Sequence, residues 1–204
     1  MKPEGSLPAG YFDAVYDASD DPWSFQTSDY EAEKYRQTLD ALDGRWFERA
    51  FEIGCSIGVF TALLASRCAR LLAVDVSEAA LEQARRRCAG LGHVRFERLA
   101  VPDTFPPGFF DLVTTCEVAY YWSRADLAKC AALIEGSLAP GGVWLLVHWT
   151  PEVADYPLGG DEVHELILTR SREPGASLRH VIGSRHDLYR LDLFEKQAPG
   201  GPGR

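Results

Sequence analysis

The sequence predicts an α/β fold built on a mostly parallel sheet, and three observations predict it. From Phe51 onward, short apolar runs alternate with segments of helical periodicity, the pattern of βαβ units. The first apolar run leads into a tight loop that carries Gly54 and Gly58 and opens a helix-like segment. The second run, Leu71-Leu-Ala-Val-Asp75, ends in an acid about twenty residues beyond the first glycine.

The elements follow in order. Tyr11, Ala14, Val15 and Ala18 recur at helical spacing and predict a short helix over 11–21. Pro22 turns the chain at Asp20-Asp-Pro-Trp-Ser-Phe25, and Ser28-Asp-Tyr-Glu31 has the form of a capping box opening a second helix to about Leu42, with Gly44 ending it. Five strands are expected at 51–54, 71–76, 94–99, 110–116 and 143–149, with helices between them at 59–68, 78–89 (Ser77 as N-cap) and 124–138. Ala139-Pro-Gly-Gly142 reads as the stop of the last of these. A shorter helix over 161–171 and a closing pair of strands, 178–186 and 188–195, complete the chain. The whole is expected to be one domain over 1–196, with a helical cap over 1–43 and a core over 44–196, large enough to bury its apolar surface without disulfides or metals. The Gly- and Pro-rich 197–204 is expected to be disordered.

Composition narrows the function. Lys and Arg number 21 against 30 Asp and Glu, a net charge of −9, and apart from Arg85-Arg-Arg87 the basic residues are scattered. Binding to nucleic acid depends on clustered cations that neutralise phosphates, so that class is disfavoured. The five cysteines, at 55, 68, 88, 116 and 130, have no CxxC or Cys/His spacing suited to zinc and read as reduced core residues. With no apolar leader region and no run of membrane-spanning length, a cytoplasmic protein is expected.

The glycine loop is the most informative stretch. A dinucleotide fingerprint would need glycines where this chain has Gly54, Ser56 and Val59, so a nicotinamide oxidoreductase fits poorly. The pattern acid-x-Gly-x-small-x-Gly does fit, through Glu52, Gly54, Ser56 and Gly58, and it resembles motif I of the S-adenosylmethionine-dependent methyltransferases. With Asp75, Phe110-Asp-Leu-Val-Thr-Thr-Cys-Glu117 and the Leu-Ala-Pro-Gly-Gly142 turn, the chain resembles class I methyltransferases over roughly 40–196. The Asp21-Pro-Trp23, Tyr35-Arg36, Val101-Pro-Asp103, Cys116-Glu-Val118 and Tyr189-Arg-Leu-Asp-Leu-Phe194 segments resemble, more narrowly, the NodS family of nodulation methyltransferases.

That resemblance implies a Rossmann-like class I methyltransferase fold, a seven-stranded mostly parallel sheet with helices on both faces and a C-terminal antiparallel strand. It implies S-adenosyl-L-methionine as cofactor, S-adenosyl-L-homocysteine as product, and N-methylation of a free amine on an amino sugar or de-N-acetylated chitooligosaccharide. Other small molecules, methylated on nitrogen or oxygen, remain the alternative. The same resemblance has Glu52 support the loop and Gly54, Cys55, Ser56 and Gly58 lie against the methionine moiety. It puts the ribose on Asp75, with Val76 beside the adenine and Leu99, Ala100 and Val101 near its edge, and adds Cys116 at the end of the fourth strand. Trp23 and Arg36 match N-terminal positions that close over the cofactor. Arg36 could pair with the methionine carboxylate or be a surface helix arginine. Ser56 stands where the wider family has a glycine, so the ligand must leave room for its hydroxymethyl group or accept a hydrogen bond from it.

An amine acceptor must lose a proton before attack, and Glu117 and His148 stand at the ends of the fourth and fifth strands, where a base is expected. Each has a plain structural alternative: a carboxylate capping the next turn, and a satisfied core histidine. Tyr120, with Tyr121, Trp122 and Trp149, clusters near the same edge, where aromatic faces could stack on a sugar or simply fill the core. A non-catalytic nucleotide-binding module is the remaining class. A nucleic-acid or protein methyltransferase ranks last, since no Asn-Pro-Pro-Tyr type signature ends the fourth strand.

Overall fold

The computed structural model describes residues 2–198. The described chain divides into two compact units, Pro8–Thr104 and, together with residues 2–7, residues 105–198.

In the unit Pro8–Thr104, two N-terminal helices, α1 (Ala9–Ala18) and α2 (Asp29–Asp40), precede three strands, β1 (Ala50–Ile53), β2 (Leu71–Asp75) and β3 (Val94–Arg98). The strands pair in parallel in the order β3-β2-β1, with Ala50 opposite Leu71 and Leu71 opposite Val94. Helices α3 (Val59–Leu64) and α4 (Glu78–Arg87) are the crossovers. The caps fall where serine was expected: Ser28 Oγ accepts the Glu31 N–H and Ser77 Oγ that of Ala80. β1 is buried at every residue, the mark of a strand covered on both faces. Most bounds differ from expectation by a residue or two, and two helices differ by more. α1 starts and ends earlier, and the helix expected over 59–68 tightens after Leu64 into a 3-10 turn at Ala65–Arg67.

In the other unit, β4 (Phe110–Cys116) pairs in parallel with β5 (Leu138–Trp149), and β7 (Tyr189–Lys196) runs antiparallel both to β5 and to β6 (Leu178–Arg185). α5 (Arg124–Ser137) and α6 (Gly160–Ser171) are its helices. The Pro-Gly segment expected to separate helix from strand is instead the start of β5: Leu138 already pairs with Phe110, and the irregularity between Phe110 and Leu112 absorbs it. Gly141, at φ +76°, turns that segment. α6 lies very close to β5 where it begins. A Cβ on Gly160 would overlap the Trp149 carbonyl and come within 3.3 Å of His148 Cβ. At the C-terminal end, Gln197 is tied by its N–H to the Ser177 carbonyl at 2.8 Å; the rest of the tail expected to be disordered, 199–204, lies outside the described residues.

Candidate functional site

In the unit Pro8–Thr104, the loop after β1 is built from left-handed backbone. Gly54, Ser56 and Gly58 have φ of 77°, 51° and 76°. Gly58 is required twice over, by its sign of φ and because a Cβ there would sit 2.9 Å from Cα and Cβ of Ala84 on α4. Ser56 holds a conformation that costs a non-glycine residue of order 1–3 kcal/mol, a cost retained where surroundings over-determine it. Two groups do so here. Its N–H donates to Asp75 Oδ2 at 2.9 Å, and its Oγ is 2.6 Å from the Tyr16 hydroxyl. The serine's hydroxyl is therefore taken up by α1, which answers the departure from glycine at this position.

Asp75, the last residue of β2, is 9% exposed, and its other oxygen accepts the Ser77 N–H at 3.0 Å. Burial raises its pKa against the pull of these amides. Each carboxylate oxygen keeps a further lone pair, so the group can still accept from a pair of hydroxyls. Beneath the loop, Glu52 is 3% exposed, and burial pushes its carboxyl up to about 8. The Thr61 hydroxyl opposes that shift, yet neither Thr61 Oγ1 nor Glu52 Oε2 has a well-aligned hydrogen-bond partner among the described residues. A carboxyl with one unpaired oxygen is thus buried below a left-handed loop, and a second acid ends the next strand.

Trp23 joins the loop's apolar backing. It meets Tyr16 edge-on at 5.7 Å, stacks on Phe25, and packs in the cluster formed by Tyr16, Ile57 and Ala80. Arg36 is placed differently. Its side chain is 59% exposed and holds Glu33 and Asp40 on its own helix face, the surface arrangement left open above. The Cys55 side chain lies in the core with Ala73 and Leu81, so only its backbone belongs to the loop. Val76 accepts from Arg98 Nε at 2.8 Å, Ala100 is exposed and Val101 is buried.

In the other unit, Cys116 ends β4 and Glu117 follows at φ 55°, a second left-handed non-glycine. Glu117 Oε2 accepts from the Tyr120 hydroxyl at 2.7 Å and from the Trp149 N–H at 2.9 Å. Tyr120 lies in a 3-10 turn, Ala119–Tyr121, and stacks on Tyr156 with ring centroids 5.0 Å apart. Burial, then the Glu117 charge, holds its phenol well above the ordinary range, so it remains a donor.

His148 is fully buried, and both of its ring nitrogens are engaged. Nε2 lies 3.1 Å from the Ala119 N–H, and Nδ1 lies 3.0 Å from His164 Nε2. This is the satisfied core histidine foreseen as its alternative reading. Sequence reasoning missed four residues: Tyr16, Tyr156, His164 and Asp192. Asp192 alone carried a local signal, an acid alternating with leucines in an apolar strand, which requires partners once buried. Among the described residues no helix is long and apolar enough to cross a membrane, and no group of three or more His, Cys, Asp or Glu side chains is placed to hold a metal ion.

Comparison with known proteins agrees with this architecture. The family model of nodulation protein S (NodS) matches residues 15–139. Nodulation protein S of Rhizobium tropici is 33% identical over 127 residues, covering 61% of this chain and 53% of that protein. Its counterpart from Bradyrhizobium diazoefficiens is 38% identical over 106 residues, covering 51% of this chain and 50% of that protein. The chain thus spans about half the length of these curated relatives. The crystal structure of N-methyltransferase NodS from Bradyrhizobium japonicum WM9, in complex with S-adenosyl-L-homocysteine, matches with a TM-score of 0.80 at 23% identity, covering 92% of this chain and 98% of that one. The fold is the Rossmann-like class I methyltransferase fold expected from the glycine loop and the acid of β2, and with the family model matching more than half of its length, the chain belongs to the nodulation protein S (NodS) family.

Proposed function

We propose that this chain is an S-adenosylmethionine-dependent methyltransferase that N-methylates a free amine of a small amino sugar or a de-N-acetylated chitooligosaccharide. The observation that carries the methyltransferase reading is the loop: three left-handed residues behind β1, backed by the buried Glu52 carboxyl and tied by the Ser56 amide to Asp75. Asp75 would hold the ribose hydroxyls, Glu52 and the Gly54–Gly58 backbone the methionine moiety, and Trp23 with Tyr16 would close the side of the loop. When bound, S-adenosylmethionine supplies a methyl group on a cationic sulfur.

An acceptor amine is an ammonium in neutral water and has no lone pair until it loses a proton. Glu117 takes that proton in this reading. Its carboxylate is oriented by Tyr120 and by the Trp149 amide, two donors on one oxygen, and its strained φ marks a position held for use rather than comfort. Tyr120, kept as a phenol by burial, orients Glu117. His148 serves the same turn from below, through the Ala119 amide.

The test is transfer of labelled methyl from S-adenosylmethionine to a chitooligosaccharide bearing a free terminal amine, against its fully N-acetylated twin, with S-adenosylhomocysteine binding as the control. Label on the free amine alone is expected, and Glu117→Gln should lower turnover by about 10²- to 10⁴-fold without loss of S-adenosylhomocysteine binding. Binding without label on either sugar would discard the sugar substrate and direct the search to other small amines and hydroxyls. Absence of binding would overturn the methyltransferase reading itself.

A further inference from the structure

Below the Glu117 edge runs a buried chain of hydrogen bonds that ends at a carboxylate far along the sequence. Ala119 N–H meets His148 Nε2 at 3.1 Å, His148 Nδ1 meets His164 Nε2 at 3.0 Å, and His164 Nδ1 meets Asp192 Oδ2 at 2.6 Å. The side chains come from β5, α6 and β7, and His148, His164 and Asp192 are all fully buried.

Only one assignment of protons satisfies the whole chain. A backbone N–H can only donate, so His148 Nε2 carries the lone pair and its proton sits on Nδ1. That N–H needs an acceptor, so His164 Nε2 carries a lone pair too and its proton sits on Nδ1. Asp192 accepts it. The opposite assignment would set His148 Nε2–H against Ala119 N–H, two donors face to face in a buried place, and an imidazolium at His148 would do the same. Burial holds His164 below its ordinary pKa despite the opposing pull of Asp192, so the bond between them joins a neutral ring to a carboxylate. Asp192 is itself pinned: Arg190 Nε donates to Oδ2 at 2.7 Å, His180 Nε2 lies 2.6 Å from Oδ1, and Glu165 holds Arg190 at 2.6 Å.

We propose that Asp192 and His164 are positioning residues that accept the protons the Ala119 N–H forces onto the two Nδ1 atoms, anchor the Ala119–Tyr121 turn, and so hold Tyr120 on Glu117. The functional half of this inference rests on Glu117 acting as the base; the tautomer half does not.

Two substitutions at one position separate an acceptor role from a charge role. In Asp192→Asn, Arg190 remains a donor, so the amide oxygen stays on the side shared with His164. The NH₂ then faces His180, which can accept by moving its proton to Nδ1. Asp192→Ala removes the acceptor and leaves the His164 Nδ1–H unpaired in a buried place, while the Ala119 N–H still disfavours reversal of the rings. Long-range proton–nitrogen NMR of the full-length protein reads each histidine's tautomer without any substrate. The expected result is Nδ1–H on both rings in the wild type and in Asp192→Asn. With the free-amine chitooligosaccharide, Asp192→Ala should lose about ten- to a hundredfold in kcat, the scale of a small misplacement near the reacting groups, with KM and S-adenosylhomocysteine affinity kept and Asp192→Asn close to wild type.

A wild-type His148 protonated on Nε2, an Asp192→Ala enzyme as fast as wild type, or an Asp192→Asn enzyme as slow as Asp192→Ala would each overturn the proposal. Should Asp192→Ala fail to fold, the wild-type spectrum and the Asp192→Asn rate still decide it. Correct tautomers with no label on either sugar would sink the substrate reading and leave the positioning of the turn supported.

Discussion

Replacing Glu52 with glutamine isolates the energetic consequence of the carboxyl buried under the glycine loop. In the folded chain its pKa is about 8 against an ordinary 4.5, because burial penalises the charged form. The sign follows from which state holds the proton more tightly. Folded Glu52 keeps its proton where the unfolded chain has already lost it, so its contribution to stability is complete below about pH 4.5 and is lost progressively up to about pH 8. Each pH unit inside that window is worth roughly 1.4 kcal/mol, so between pH 5 and 8 the wild type should lose roughly 4 kcal/mol through this one group. Glutamine cannot titrate. The measurement is urea unfolding of both proteins, followed by tryptophan fluorescence across pH 5–8. The stability of Glu52→Gln relative to wild type should climb by roughly 4 kcal/mol over that range, whatever constant offset the amide brings. A difference that stays level within about 1 kcal/mol would mean that Glu52 carries its charge in the folded state, and the reasoning from burial would be wrong.

Three further outcomes are expected. Gly58→Ala should cost about 2–4 kcal/mol in chemical denaturation, since it meets both an unfavourable φ and the backbone of α4. Asp75→Ala should weaken S-adenosylhomocysteine binding by about 1.5–3 kcal/mol for each hydrogen bond lost from the carboxylate, read by calorimetry, with an unchanged circular dichroism spectrum; unaltered affinity would remove Asp75 from the ribose. Tyr16→Phe deletes only the hydroxyl on Ser56 and should cost about 1 kcal/mol in thermal or chemical unfolding, and a neutral result would mean that α1 is held by its apolar contacts alone.

Much of this was legible in the chain because it is written locally. Alternating apolar runs and helical patterns placed every strand within a few residues, and β4 to the residue. Ser28 and Ser77 announced their helices through a single hydroxyl each. The loop was readable because its glycines and its acids recur at fixed spacing. The start of β5 was not, since Ala139-Pro-Gly-Gly142 has the composition of a stop and only pairing with Phe110 makes Leu138 a strand residue. Nor could any local pattern say that Tyr16 would reach Ser56, or that Arg36 would spend its guanidinium on Glu33 and Asp40. His148 carried two readings to the end. Its partners lie 16 and 29 positions away, and only the folded register brings them together.

Gly160 has a reach beyond its size. His164 stands one helical turn after it and on the same side, so the gap that the missing side chain leaves against Trp149 also fixes how near the two imidazoles can come. An alanine there would lift the first turn of α6 off the strand, and the bond between the rings, already at 3.0 Å, has little slack to follow it. Over generations of drift, this position would govern the ordering of the Tyr120 turn through two imidazoles. A chain that acquired a side chain at 160 would have to compensate at 148, 164 or 192, so these four positions are expected to change together or not at all.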